Sequence, residues 1–182
     1  MLKASENPPA IWPEDKSITQ FEGTWWVAHT KSRNEKALAW QMLKNEIQYF
    51  LPMTKKVTRS KGRTIRSVLP LFTGYMFFCG NEEQRLDVLK TNRVANLIEV
   101  TERDAFLKDL SPIEKVIKQG EDIQPHVYIK AGQKCRVTAG PLVGTEGIAE
   151  TENNSTRLIL QVDMLGQATS VEIQTDMIEL ID

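Results

Sequence analysis

The stretch Leu69-Pro70-Leu71-Phe72-Thr73-Gly74-Tyr75-Met76-Phe77-Phe78-Cys79 decides how the first half of the chain folds. From Tyr75 to Cys79 it is an uninterrupted apolar run of the kind a central strand presents. Just upstream, residues 55–66 (Lys55-Lys56-Val57-Thr58-Arg59-Ser60-Lys61-Gly62-Arg63-Thr64-Ile65-Arg66) hold six basic residues and no acid, and Gly62 marks the turn of a basic hairpin. Before the hairpin, Tyr49-Phe50-Leu51-Pro52-Met53 is a second short strand, and its proline places it near a sheet edge or strand end. Thr24-Trp25-Trp26-Val27-Ala28-His29 is aromatic and β-branched enough for a further strand. Ser32-Arg33-Asn34-Glu35 reads as a capping box opening a helix, with Ala39, Leu43 and Ile47 spaced as an apolar stripe. After Cys79 the pattern predicts a helix over 82–89, a strand over 97–100 and a helix opened by a second capping box, Ser111-Pro112-Ile113-Glu114. Helices covering an antiparallel sheet, an α+β architecture, suit this order.

Flanking segments differ. Residues 1–23 are polar and proline-containing without sustained periodicity, the composition of a mobile tail. Residues 121–130 contain Pro125 and no clear pattern, and read as a linker. Beyond them five short strands are predicted at 134–138, 145–151, 156–162, 169–174 and 177–181, separated by Gly140-Pro141, Asn153-Asn154 and Gly166. Strands this short and this regularly spaced predict a small barrel, which removes the unpaired edges of a lone sheet.

The 182 residues are 41% hydrophobic and 26% charged, an ordinary globular composition, with a net charge of −1. That near-neutrality hides segregation: the segments 1–23, 24–120 and 121–182 carry −2, +7 and −6. A basic middle joined to an acidic end predicts two domains with different partners. No apolar run is long enough to span a bilayer, and the start lacks the basic head and apolar core of a secretory signal, so a cytoplasmic location is expected. Cys79 and Cys135 lack CxxC spacing and, with two histidines, cannot make a disulfide framework or a four-ligand zinc site.

Catalytic signatures are missing. There is no G-x-S-x-G elbow, no H-E-x-x-H helix and no glycine loop ending in Lys-Ser/Thr, and the acidic pairs Glu82-Glu83 and Glu121-Asp122 are consecutive and surface-like. Binding has better support. The basic loop can neutralise phosphates, although a solvated hairpin explains it equally well. Trp25, Trp26, Phe72, Tyr75, Phe77 and Phe78 are of the type that fills a core, but alternation along strands cannot bury all of them on one face. The outward set would form an apolar patch for a partner helix.

These residues resemble those of the NusG family, the bacterial transcription elongation factors, over about residues 24–182. In the first half the resemblance lies in Trp25-Trp26-Val27-Ala28-His29-Thr30, Glu35, Phe50-Leu51-Pro52, and Pro70-Leu71-Phe72-Thr73-Gly74-Tyr75-Met76-Phe77, similar to the family's F-P-G-Y-x-F signature. In the second it lies in Ala139-Gly140-Pro141-Leu142-Val143-Gly144-Thr145-Glu146-Gly147, which resembles a KOW motif, and in Leu165-Gly166-Gln167-Ala168-Thr169-Ser170-Val171-Glu172-Ile173. The resemblance implies an NGN domain over 24–120, an antiparallel sheet flanked by helices, and an SH3-like five-stranded KOW barrel over 131–182. It further implies binding to RNA polymerase, bridging the β′ clamp helices and the β gate loop so as to suppress pausing, with neither catalysis nor a cofactor nor a metal and with a monomeric chain.

By position, Phe72, Tyr75, Phe77 and His29 would meet the clamp helices, and Gln84 and Arg85 the gate loop. Lys31, Arg33, Lys55, Lys56, Arg59, Lys61 and Arg63 would meet upstream or nontemplate DNA. On the barrel, Leu142, Met164, Leu165 and Gln167 would meet a small-subunit ribosomal protein or the termination factor Rho. Thr73, Leu165 and Gln167 depart from the family's usual proline, aromatic and basic residue. Phe50-Leu51-Pro52 with Pro70-Leu71-Phe72 is similar to RfaH-like specialised antiterminators, while a housekeeping NusG and a ribosomal-type KOW module are the other readings. The glycines and proline of 140–147 and Gly166 disfavour a helical form of the C-terminal part and predict a stable barrel.

Overall fold

Residues 6–126, 128, 132–153 and 155–182 are described by a computed structural model of the chain. Two units, Met1–Arg103 and Asp104–Asp182, divide it. The first contains β1 (Ile11–Trp12), β2 (Thr24–Thr30), α1 (Glu35–Lys44), β3 (Gln48–Phe50), β4 (Met53–Ser60), β5 (Arg63–Pro70), β6 (Tyr75–Gly80), α2 (Glu82–Lys90) and β7 (Val94–Glu99). Five of its strands form one antiparallel sheet in the order β1-β3-β6-β2-β7, so the apolar run from Tyr75 lies at its centre, as its composition predicts.

Cross-strand pairing sorts the aromatics. Trp26 faces Phe78, and Ala28 faces Met76, on the side covered by Leu38, Ala39 and Met42 of α1 and by Val88 of α2. On the opposite side Val27 faces Phe77, with Trp25 and Phe50 beside them, all buried. Phe21 stacks on Trp25 with ring centroids 5.5 Å apart, and Phe72 meets Phe77 edge-on at 6.1 Å. Burial on both sides explains why these strands read as continuous apolar runs instead of alternating ones. It also limits the expected outward apolar patch: of the six aromatics, Trp26 and Tyr75 are half-buried and the other four are buried.

The expectation of a mobile tail over 1–23 fails for its described part. Ile11 and Trp12 pair with Phe50 and Tyr49, the Leu51 amide donates to the Ala10 carbonyl at 2.7 Å, and Tyr49 Oη donates to the Pro9 carbonyl at 2.9 Å. Ser17 and Gln20 make a reciprocal capping box on a 3-10 turn, Ile18–Gln20, and Ile18 and Phe21 are buried. Arg103 fixes the end of this segment by donating to the Phe21 and Gly23 carbonyls.

Both predicted capping boxes are also corrected. In α1 the N-cap is Asn34, with no side-chain capping bond, and Glu35 turns elsewhere. Ser111 and Pro112 lie inside α3 (Arg103–Lys118), which starts eight residues earlier than Ser111. The basic segment behaves as predicted. β4 and β5 form a separate two-stranded sheet with Ser60 opposite Arg63, and Lys61 and Gly62 (φ 49° and 75°) make the tight turn. Two consecutive positive φ values match the right-handed twist of a hairpin, and glycine supplies the second without steric cost.

The second unit takes α3 from Asp104 onward, whereas the sequence pattern places this helix within a first domain over 24–120. It also holds β8 (Ile123–His126), β9 (Gln133–Val137), β10 (Glu146–Glu152), β11 (Ser155–Val162), β12 (Gln167–Ile173) and β13 (Ile178–Leu180). The strand order is β13-β9-β10-β11-β12-β8, antiparallel throughout. Within it β9 to β13 run in the 5-1-2-3-4 order of an SH3-like barrel, the five strands expected. β8 is the sixth and corrects the linker expectation over 121–130, of which residues 127, 129 and 130 lie outside the described residues. It pairs with β12 and buries Ile123. Cys135, Val137, Leu158, Ile159, Leu160, Val162 and Val171 fill the core. Gly147 is required there, since a Cβ would stand 2.5 Å from the Ile159 carbonyl oxygen.

Candidate functional site

Where β2 and β6 end side by side, His29 lies opposite Tyr75, and their rings stack with centroids 4.9 Å apart and planes within 17°. His29 is exposed and Tyr75 half-buried. Immediately next to them the chain is tied down by Gly74. Its carbonyl accepts the Thr30 amide at 2.9 Å, and its own amide donates to Glu35 Oε1 at 2.7 Å. The Tyr75 amide closes the turn on the Phe72 carbonyl at 3.0 Å. Gly74 has φ 83°, which a side chain would strain.

Of the four residues expected at a clamp-helix surface, the structure therefore brings two to the surface. Phe72 and Phe77 are 2% and 0% exposed and touch each other in the core, so they shape the site from beneath and cannot themselves meet a partner. Glu35, matched in sequence only as a family residue and as part of a capping box, proves to hold the loop. The sequence signal available was an acid at the predicted start of a helix; its burial and its partner 39 residues away are not legible there.

Gln84 and Arg85 lie on α2. Gln84 is used in a reciprocal capping box with Asn81, giving its amide to Asn81 Oδ1 at 2.9 Å and receiving the Asn81 amide at 3.0 Å. Arg85 grips both carboxylate oxygens of Glu82 and lies 5.4 Å over the Trp26 ring. Its hydrogen bonds, aided by its charge, hold the Glu82 carboxyl below the usual range. Neither side chain is unengaged, in contrast to the simple contact the sequence suggests.

The expected nucleic-acid residues separate into two groups. Lys31 and Arg33 lie in the turn that precedes α1, where Lys31 Nζ donates to Asn92 Oδ1 at 2.6 Å and Arg33 adopts a left-handed φ of 59°. Beside them Arg93, which no sequence motif marks, donates to Asn34 Oδ1 at 2.7 Å and Gln41 Oε1 at 3.2 Å. Lys55, Lys56, Arg59, Lys61 and Arg63 are exposed along the hairpin. With eight residues per strand the hairpin extends about 26 Å. Its register puts Lys55, Arg59 and Arg66 on one face and Lys56 and Arg63 on the other. Lys36 anchors its base by donating Nζ to the Val68 carbonyl at 2.5 Å, and burial pushes the Lys36 ammonium pKa down.

In the second unit the four barrel residues are not equivalent. Met164, in the 3-10 turn Asp163–Leu165, is 40% exposed, and Leu165 and Gln167 are half-buried. Leu142 is buried, which corrects its assignment as a contact residue; its neighbour Val143 is exposed instead. The 163–165 turn is held by Asp109 of α3, whose Oδ2 accepts the Asp163 amide at 3.0 Å, and by Tyr128 Oη, which donates to Asp163 Oδ1 at 2.9 Å.

Among the described residues no three His, Cys, Asp or Glu side chains gather as a metal site would require. Burial pushes both the Cys79 and the Cys135 thiols up, away from the reactive thiolate. No helix among them is long and apolar enough to cross a membrane. The class these features define is a two-unit α+β protein with a stacked aromatic surface, a basic hairpin and an SH3-like barrel. Residues 23–117 match the family profile described as "Transcription termination factor nusG". The chain belongs to the NusG family and is a NusG-type transcription factor. Two relatives, each "Transcription termination/antitermination protein NusG", come from Vibrio parahaemolyticus and Vibrio cholerae. Both are 27% identical over 185 aligned positions, covering 98% of this chain and 100% of theirs. Among solved structures, one titled "Crystal Structure of MjSpt4:Spt5 complex conformation B" is 14% identical, covering 87% of this chain and 97% of that one, with a TM-score of 0.28.

Proposed function

We propose that this protein binds RNA polymerase across its clamp and suppresses pausing or termination, with His29 and Tyr75 as the contact to the β′ clamp helices. The observation that carries the reading is the stacked pair itself. Aromatic surface reaches solvent there at two strand ends, beside a loop fixed by the part-buried Glu35–Gly74 hydrogen bond. Rigid aromatic surface of this kind gives contact area with little side-chain entropy to lose. The action is differential binding. A factor that favours the closed, elongating state by ~1.4 kcal/mol shifts its balance against the paused state tenfold, without any covalent step.

On this reading the hairpin and the Lys31–Arg33 turn before α1 meet upstream or nontemplate DNA. Exposed cations along an extended ribbon add sequence-independent, salt-sensitive affinity. Gln84 and Arg85 would meet the β gate loop through side chains already braced on α2. The barrel turn around Met164, Leu165 and Gln167 would meet Rho or a small-subunit ribosomal protein. The lack there of an aromatic anchor and a basic charge supports a specialised, operon-specific antiterminator, acting as a cytoplasmic monomer, over a housekeeping factor.

Pull-down with core RNA polymerase, repeated with His29→Ala and Tyr75→Ala, tests the contact: the wild type should be retained and both variants weakened. Retention of both variants at the wild-type level would overturn it. Transcript profiles after deletion divide the two roles. Changes confined to a few long operons support the specialised factor, whereas genome-wide changes at Rho-dependent ends would make it a housekeeping one.

A further inference from the structure

We propose that Glu35 is a positioning residue for the polymerase contact, acting through the Gly74 amide on Tyr75 and His29. This rests on the reading of that pair as the clamp-helix surface. Glu35 begins α1, where a carboxylate ordinarily stays in solvent near the positive end of the helix. Here it is 4% exposed and accepts the amide of Gly74, 39 residues away in sequence, at 2.7 Å. A buried carboxylate is costly unless its hydrogen bonds are made, and the Gly74 amide supplies one of them.

What it holds is a single residue gripped at both its amide and its carbonyl. The Gly74 amide is bound by Glu35 and its carbonyl by the Thr30 amide, while Tyr75 and His29 are the next residues along the two strands. The site lies less than one side chain away: a Cβ on Gly74 would stand 3.7 Å from the His29 ring. Sliding or rotating the backbone at Gly74 would therefore move Tyr75 relative to His29, and the stacked surface would lose its fixed orientation. His29 still pairs with Asn96 of β7, but the β2–β7 register shifts directly after it, at Thr30, the residue that binds the Gly74 carbonyl. The Glu35 bond adds a constraint at the other end of the same residue, the Gly74 amide. Bonds to a charged acceptor are shorter and stronger than neutral ones, which suits a loop that must hold one shape.

Two measurements test this, one of them independent of polymerase. Amide exchange at Gly74, followed by NMR in the whole chain, should be slow in the wild type. It should be at least tenfold faster in Glu35→Ala and remain near the wild-type rate in Glu35→Gln, which keeps an acceptor oxygen. In titrations with core RNA polymerase, Glu35→Ala should lose about tenfold in affinity and Glu35→Gln markedly less. Adding Glu35→Ala to Tyr75→Ala should cost little further, since both act on one surface. Equal Gly74 exchange in all three proteins, or full additivity of the two alanine variants, would overturn the proposal. If Tyr75→Ala alone binds as the wild type, the clamp-helix reading fails instead, and the exchange result still shows whether Glu35 holds the loop.

Discussion

His29 and Tyr75 face each other across β2 and β6 with their rings stacked at 4.9 Å, while Phe72 and Phe77, close to Tyr75 in the same motif, lie inside the core. One short sequence motif thus carries two physical roles, and substitutions within it should separate cleanly.

Tyr75→Ala and His29→Ala should leave the fold intact and weaken binding to core RNA polymerase. An aromatic pair adds about 0.5–1.5 kcal/mol beyond its buried area. Losing it at the centre of a contact should lower affinity about tenfold or more. Equilibrium titration, with thermal unfolding as a control for the fold, checks the outcome.

Phe72→Ala and Phe77→Ala should do the reverse, destabilising the first unit by about 3–5 kcal/mol each, as large-to-small changes of a buried aromatic do. Denaturant unfolding of the whole chain checks this, and any loss of binding should track the loss of folded protein.

Charge reversal at Lys55, Lys56 and Arg59 should barely change stability, because these side chains are exposed on a hairpin with its own small sheet. It should lower affinity for a complex carrying a DNA fork. The slope of log affinity against log salt should flatten by about 0.9 for each phosphate that the hairpin no longer neutralises. An unchanged slope would return the hairpin to a solvated role.

Burial raises the Asp109 carboxyl above its usual range; the Asp163 amide opposes this and the Asp163 charge adds to it. The folded state then holds that proton more tightly than the unfolded chain. Asp109 costs stability as pH rises from the ordinary carboxylate range through its raised folded value, and the cost is absent below both. Asp109→Asn, which can still accept the Asp163 amide, should stabilise the second unit at neutral pH and match the wild type in acid. Unfolding transitions recorded across that range check it.

Much of the fold was legible. The apolar run at Tyr75–Cys79, the acid-free basic stretch around Gly62 and the evenly spaced turns after residue 132 each specify an element locally, and each formed where expected. What escaped notice depends on partners distant in sequence. Trp12 and Ile11 read as part of a polar tail because their strand exists only through pairing with Tyr49 and Phe50. Ile123 sits in a stretch broken by Pro125, yet β8 is completed by β12. The two supposed capping boxes show the limit of short motifs: Ser111 lies within a helix already begun at Arg103, and Glu35 finds a better partner in Gly74. At the site, period-two alternation could not distinguish Tyr75 from Phe77, which share a face of β6. Only the position of Tyr75 at the strand end opens it to solvent.

The short strand β1 has a consequence for the molecule's solution behaviour. Without it, β3 would end the sheet with a bare row of backbone donors and acceptors on a segment of Tyr49, Phe50 and Leu51, an invitation to pair with another chain. Two residues of β1, braced by the Pro9 and Ala10 carbonyls, cover that row. A chain begun at residue 24 would keep every proposed contact residue and lose this cover. It would be the more aggregation-prone chain, with an open sheet edge, although nothing in its binding surfaces had been touched.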